Sequence, residues 1–310
     1  MHDRLPQPDA TAAPAPAATH APAAPPVKTL PIQAEHLPAV GAFLHENLNA
    51  RFSAQRWIES LTHPWAAEVP NYGMQLLEGG RIVGVFCAIY SDQVIRGQVE
   101  RFCNPHSWCV LESHRRHSIG LILQIIRQPG YHFTMFTPNP KVAEVFRGLK
   151  FKDLDKHMLL YPNLPTWQAL RPGSFAVSAP QQIEARLSGQ ALAEYQAHRS
   201  IPWLRFAAFG DKQDACLAIY KPVRVKRLPV AWVMHLSRSD TFERLGGLLR
   251  QHLLLRHGFA GMRAEARWFS PAAARGAHTM ERQQPKLFMS KTLAEADIHD
   301  VYSELMSLDV

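Results

Sequence analysis

The residues from Trp108 to Leu123, WCVLESHRRHSIGLIL, set the tightest limit on what this chain can become. Apolar, strand-like spacing runs to Leu111, a polar basic turn follows, and Ile119, Ile122, Leu123 and Ile126 then recur at helical spacing. A strand that passes through such a turn into an amphipathic helix predicts an α/β fold. The junction is also suited to an anion. Backbone N–H groups at the helix start, with the positive end of its dipole, can cradle a pyrophosphate, and Arg115 and Arg116 can add charge-assisted hydrogen bonds.

The same alternation of periods extends along the chain. Val27 to Ile32 reads as a strand, and Glu35 to Leu48 as a helix with Leu37, Val40, Leu44 and Leu48 on one face. Ser53 can cap a second helix, which His63-Pro64 stops. Tyr72 to Glu78 and Arg81 to Tyr90 read as a hairpin closed by Gly79-Gly80. Gln98 to Leu111 is a further strand, with a bulge or bend predicted near Asn104-Pro105 because proline cannot donate to a ladder. Tyr131 to Thr137 reads as a strand, Pro138-Asn139-Pro140 opens a helix from Lys141 to Leu149, and Lys150 to Tyr161 is expected to close the unit with one or two strands.

These signals place a first unit over residues 27–162 and a Pro-, Ser- and Gly-rich linker over 163–180, with one helical turn near Trp167. A second unit over 181–310 carries helices at Ile183 to Arg199 and Thr241 to His257. Its strands are predicted at Trp203 to Phe209, Ala215 to Tyr220, Val230 to Ser237 and Gly261 to Trp268, and Asp240 with Glu243 is predicted to form a capping box. Trp108 precedes Ser118, and Trp232 precedes Phe242, by the same ten residues, which suggests an internal repeat.

Composition agrees with two cores, since 310 residues with 46% apolar content exceed what one domain of roughly 150 residues needs. Residues 1–26 hold seven Pro and nine Ala and read as a disordered tail without the apolar run of a signal peptide. No segment approaches the roughly 18 apolar residues of a membrane span, and Leu248 to Leu255 is broken by Arg250, Gln251 and His252. Cys87, Cys103, Cys109 and Cys216 read as reduced buried thiols, so the cytoplasm is the expected compartment. A net charge of +8 is the whole case for nucleic acid as a partner, and no helix-turn-helix, zinc-finger or RNA-binding signature joins it. Lys221 to Arg227 alternates charge with apolar residues, as a half-exposed strand does.

Arg115-x-x-Ser118-x-Gly120 resembles the Arg/Gln-x-x-Gly-x-Gly/Ala loop with which GNAT-fold (GCN5-related) N-acyltransferases hold the coenzyme A pyrophosphate. Asn139, the helix after it and the ending Gly148-Leu149-Lys150-Phe151 resemble the family's second signature. The resemblance covers Val27 to Tyr161, and the second unit looks like a degenerate GNAT half lacking the spaced loop. With its Tyr302-Ser303-Glu304-Leu305 ending, the chain also resembles tandem GNAT-like proteins associated with bacterial surface polysaccharide synthesis.

The resemblance implies two mixed, mostly antiparallel sheets flanked by helices, and acyl transfer from acetyl- or another acyl-coenzyme A, without a metal, to an amine or hydroxyl of a small molecule or sugar. It leaves a homo-oligomer open. It implies cofactor contacts at Val110, Leu111, Arg115, Arg116, His117, Ser118, Ile119, Gly120, Asn139 and Phe146. Ser118 stands where the family prefers glycine, and Phe146 where many relatives have a tyrosine acid. A non-catalytic ligand-binding or assembly module is the alternative reading.

An attacking amine must lose a proton, so a base is required near the expected bulge, and Glu100, His106 and Glu112 are the nearest candidates. Glu100 comes first, since family members often place a glutamate on this strand. Cys103-x2-His106-x2-Cys109 has the residue types of a zinc site, yet the two thiols lie about 20 Å apart along an extended strand, which favours buried thiols.

Overall fold

Gly79 and Gly80 both take positive φ, 56° and 83°, and the hairpin forms as expected. Strand β2 (Gly73–Glu78) runs antiparallel to β3 (Arg81–Ile95), with Glu78 opposite Arg81. The protein is described here by a computed structural model that covers residues 25–309. The tail expected over residues 1–26 therefore falls, but for its last two residues, outside the described residues.

Around this hairpin the first sheet adds β1 (Val27–Pro31), β4 (Gln98–Val110), β5 (His132–Met135) and β6 (Lys152–Asp153). The second sheet holds β7 (His157–Pro162), β8 (Phe175–Val177), β9 (Arg205–Gly210), β10 (Ala215–Val225), β11 (Leu228–Leu236), β12 (Gly261–Glu265) and β13 (His278–Glu281). A last strand, β14 (Leu287–Met289), returns to the first sheet. The strand orders are β1-β2-β3-β4-β5-β14-β6 and β8-β9-β10-β11-β12-β7-β13. The two orders are the same plan drawn twice. In each sheet the pair β4–β5 or β11–β12 is parallel and the remaining pairs are antiparallel.

One expectation fails in an instructive way. Lys150 to Tyr161 is expected to close the first unit with one or two strands; β6 does join the first sheet, but β7 pairs with β12 and β13 in the second. Its place between β5 and β6 is taken by β14, from the far end of the chain. Sequence periodicity specifies a strand but not its partner, because partner choice is a long-range property. The reciprocal exchange leaves neither sheet complete without a strand from the other's stretch of chain.

Helices cover the first sheet on both faces. On one face α3 (Ser118–Ile126) and α4 (Pro140–Gly148) bury Leu121, Ile122, Ile125 and Phe146 against Phe86 and Ala88. On the other, α1 (Leu37–Asn47), α2 (Ala54–Leu61) and the C-terminal segment bury Leu44, Trp57, Leu305 and Met306 with Val85 and Cys87. Alternate residues of β3 thus feed two separate cores. Helix α7 (Ser239–His257) covers one face of the second sheet through Phe242, Leu249 and Leu253.

Local expectations are corrected at three places. The helix predicted from Ile183 to Arg199 is two, α5 (Pro180–Arg186) and α6 (Gly189–His198), because Leu187 and Ser188 are extended and Gly189 takes φ 54°. Asp240 and Glu243 form no capping box. Arg238 is the N-cap residue of α7, Asp240 receives its guanidinium at 2.9 Å, and Glu243 accepts the Ser270 N–H at 2.7 Å. The linker has its expected helical turn, a 3-10 turn at Trp167–Leu170, but it also contributes the three-residue edge strand β8. The four cysteines are buried free thiols. Among the described residues no helix is long and apolar enough to cross a membrane.

Candidate functional site

Strands β4 and β5 pair only at Phe102 with His132 and Cys103 with Phe133, and then separate. From Asn104 onward the edge of β4 that faces β5 has no ladder with it. Asn104 wedges this opening: its amide donates to the carbonyl and hydroxyl oxygens of Thr134, at 3.1 and 3.2 Å. Across the strand on its other side, Cys109 faces Val85 and His106 faces Cys87, so Ser107 and Trp108 together oppose Phe86. This is a β-bulge, and Ser107 has φ 53°. The predicted irregularity exists, shifted from Asn104-Pro105 to Ser107-Trp108.

Beyond the bulge, Leu111 leads into a 3-10 turn over Glu112–His117 that continues into α3. Glu112, Ser113, Arg115, Arg116, Ile119 and Gly120 are exposed, and Leu111, His117 and Ser118 partly so. A side chain added at Gly120 meets nothing within 4 Å. Arg115 reaches Glu112 at 2.8 Å, both largely in water, while Arg116 donates to His117 at 3.1 Å. The Ser118 hydroxyl donates to the Arg115 carbonyl. The turn therefore presents two guanidinium groups and a helix start to solvent at the end of β4 that borders the opening.

The other expected positions are dispersed. Asn139 is the N-cap of α4, its side chain accepting the Val142 N–H at 3.0 Å. Phe146 is fully buried, packed on Phe86 and Phe151, and has no hydroxyl to offer. Glu100 lies seven residues before the bulge, about 23 Å at strand spacing, and its carboxylate meets His132 Nε2 at 2.9 Å. His106 is close to the bulge and buried. Its Nδ1 lies 2.8 Å from the Ser107 hydroxyl and its Nε2 has no partner. Burial pushes its pKa down to about 3, which makes the imidazole a weak base.

A carboxyl that sequence spacing does not single out fills the mouth of the opening. Glu304, the first residue of α8 (Glu304–Ser307), is buried on the α1 and α2 side. Its N–H donates to Asn104 Oδ1 at 2.8 Å, and its Oε1 accepts the Phe136 N–H at 2.9 Å and the Thr137 hydroxyl at 3.2 Å. Oε2 is buried without a partner. Burial pushes the Glu304 pKa above the usual carboxylate range, against the lowering pull of these donors. The group stands some 200 residues from β4 in sequence, beyond the reach of any local motif. Among the described residues no group of three or more His, Cys, Asp or Glu side chains is placed to hold a metal ion.

A sheet opened between its parallel pair, a bulge beside the opening and a basic turn at its end invite comparison with known structures. The chain has the fold of the GCN5-related N-acetyltransferases. A GCN5-related N-acetyltransferase from Anabaena variabilis superposes with TM-score 0.58 at 10% identity, covering 85% of this chain and 72% of that one. A protein from Enterococcus faecalis described as a probable N-acyltransferase gives 0.57 at 9% identity, with 85% and 72% coverage. A GCN5-related N-acetyltransferase from Kribbella flavida gives 0.51 at 14% identity, with 85% and 70% coverage. No protein-family model and no curated protein sequence matches the chain.

Proposed function

We propose that this protein is an acyl-coenzyme A-dependent acyltransferase whose site is the opening between β4 and β5. The observation that carries the proposal is the meeting, at one opening, of an unpaired strand edge, an exposed basic turn and a buried carboxyl with one free oxygen. The names of the structural neighbours, N-acetyltransferases and a probable N-acyltransferase, support the same reading. When bound, an acyl-coenzyme A supplies a thioester whose acyl group is to be transferred.

The residues present fit that group. Arg115 and Arg116, beside the start of α3 at Ser118, Ile119 and Gly120, offer guanidinium donors to a pyrophosphate, while the Ser118 N–H and hydroxyl are both taken by the Arg115 carbonyl. Val110 and Leu111 line the path from this turn toward the bulge, with His117 beside it. The unpaired backbone of β4 can hydrogen-bond an amide-bearing arm as a strand would. Asn139 fixes the start of α4 next to β5. Glu304 is the base in this reading: its Oε2 is buried with no partner among the described residues and is the atom that would take a proton from an amine or hydroxyl nucleophile once the acceptor reaches it. Glu304 replaces Glu100 in this role because Glu100 is remote and engaged with His132, and it replaces His106 because that imidazole is too weakly basic.

The test is release of free coenzyme A thiol from acetyl-coenzyme A over a panel of small amines and amino sugars. Turnover by the parent chain is expected, and Glu304→Gln should lower its rate by roughly 10²- to 10⁴-fold with acetyl-coenzyme A affinity unchanged. Full turnover in a folded Glu304→Gln chain would remove Glu304 from the mechanism. A binding module without transfer is the second reading, favoured by Phe146, a fully buried ring without a hydroxyl at the position where many GNAT relatives have a tyrosine acid. Tight coenzyme binding with no turnover on any acceptor would establish it.

A further inference from the structure

A cleft of about 440 Å³ lies against the face of the second sheet that α7 leaves free. Phe136 and Leu305 line its near end. The first donates its N–H to the Glu304 carboxyl and the second follows Glu304 in sequence, so this end of the cleft lies one residue from the base, which does not itself line it. Its far wall is made by Arg224 of β10, Trp232 of β11 and Arg263 of β12.

The charges of this wall are unevenly compensated. Arg282 and Lys286 also border the cleft, but both are committed to the buried Glu265, at 2.9 and 2.6 Å. Glu281 on the rim is held by Lys156 at 2.9 Å. Arg263 has no carboxylate within 4 Å among the described residues, and its Nε is buried with no hydrogen-bond partner. Its guanidinium lies over the Trp232 ring, 4.7 Å from the centroid. Arg224 donates to the Arg227 carbonyl at 3.1 Å and has no ion pair among the described residues. A half-buried guanidinium without an acceptor is costly in isolation, and burial accordingly lowers the Arg263 pKa. Arg263 is held over an aromatic face with no ion-pair partner among the described residues, an arrangement suited to receiving an oxyanion through its N–H donors.

We propose that this cleft is the acceptor site and that it selects amines carrying an oxyanion, a carboxylate or a phosphate, bound by Arg263. The inference rests on the acyltransferase reading for its chemistry, though not for the anion site itself. In the transfer, the acceptor nitrogen forms a C–N bond to the acyl carbon as the C–S bond breaks. The nitrogen's proton passes to the Glu304 carboxylate and then to the departing thiolate, leaving an amide and coenzyme A thiol.

Two arms test it with the full chain. The first compares rates of acetyl transfer to phenylalanine and phenylalaninamide, and to O-phosphoethanolamine and ethanolamine. The charged member of at least one pair should be favoured tenfold or more in kcat/KM. Arg263→Ala should abolish that preference through KM, with kcat within threefold, and Arg263→Lys should restore part of it. The pair that shows the preference identifies carboxylate or phosphate. Equal use of both members in both pairs, or a preference that survives Arg263→Ala, overturns the proposal.

The second arm needs no turnover. Inorganic phosphate titrated into the chain should change tryptophan fluorescence saturably, and the change should vanish in Trp232→Phe and in Arg263→Ala while acetyl-coenzyme A affinity holds. If acetyl-coenzyme A does not bind the parent chain, the transferase reading fails while this arm still decides the anion site. A response absent from the parent, or independent of both residues, removes the site.

Discussion

In the first sheet β4 hands over to α3 through seven residues, Leu111–His117, whereas in the second β11 hands over to α7 through Ser237 and Arg238 alone. The longer connection carries two exposed arginines, and the Arg115–Glu112 pair is one that water already screens and a ligand can displace. The shorter one carries Arg238, held between Asp214 at 3.1 Å and Asp240 at 2.9 Å. The openings beyond the parallel pairs differ in the same sense. In the first, Glu304 meets backbone and hydroxyl donors and keeps one oxygen free. Next to the second, Glu265 is surrounded by Lys286, Arg267 and Arg282. Burial alone would raise its pKa, but those cations hold it well below the usual carboxylate range. One architecture thus exposes charged groups in one half and pairs them in the other, and the difference lies in a connection and a handful of charges.

The largest effect that separates the halves is on stability. Lys286→Met strands Glu265 and Asp300 in the interior with less compensation and should cost about 3–5 kcal/mol in chemical denaturation. Arg115→Ala with Arg116→Ala touches only exposed side chains and should stay within about 0.5 kcal/mol. Equal losses in the two variants would show that the charge cluster around Glu265 does not hold the fold together.

A smaller effect distinguishes the two buried glutamates by pH. The folded pKa of Glu304 is raised by burial, so its contribution to stability is complete below the unfolded value of about 4.3 and is lost as pH rises through the folded value. The melting temperature of Glu304→Gln relative to the parent should therefore rise between about pH 4 and pH 8. Glu265 is lowered instead, so its contribution is present above the unfolded value and is lost as pH falls. A flat difference for Glu304→Gln across this range would mean that its carboxyl is not perturbed as its surroundings require.

The smallest expected effect lies in the binding turn. Ser118→Gly removes the hydroxyl that donates to the Arg115 carbonyl and opens space at the start of α3. Coenzyme A affinity should rise by a few fold, on the order of one net hydrogen-bond difference, as read by titration calorimetry. A tenfold or greater loss would show that the hydroxyl itself contacts the ligand.

What the sequence made legible follows the range of each signal. The hairpin at Gly79-Gly80, the caps at Ser53 and Asn139 and the passage from β4 to α3 are local, and each is found where turn and cap chemistry put it. The bulge was legible as an irregularity and misplaced by about three residues, since Pro105 marks the strand while the register shift falls where Ser107 turns to positive φ. The exchange of β7 and β14 was not legible, because a strand's pattern says which face is buried and not which neighbour it pairs with. Glu304 escaped for the same reason. Its partners Asn104 and Phe136 lie 200 and 168 residues away, and only the closed fold brings them together.

The central claim is that the basic turn of the first half, and not its counterpart in the second, is where coenzyme A binds. Calorimetric titration of coenzyme A into the parent chain, into Arg115→Ala with Arg116→Ala, and into Arg238→Ala tests it most directly. The account predicts one site per chain in the parent, affinity lower by at least about tenfold in the double variant from the loss of charge-assisted bonds, and no change in Arg238→Ala. Binding that survives the double variant and falls in Arg238→Ala, or no binding to the parent at all, would contradict it.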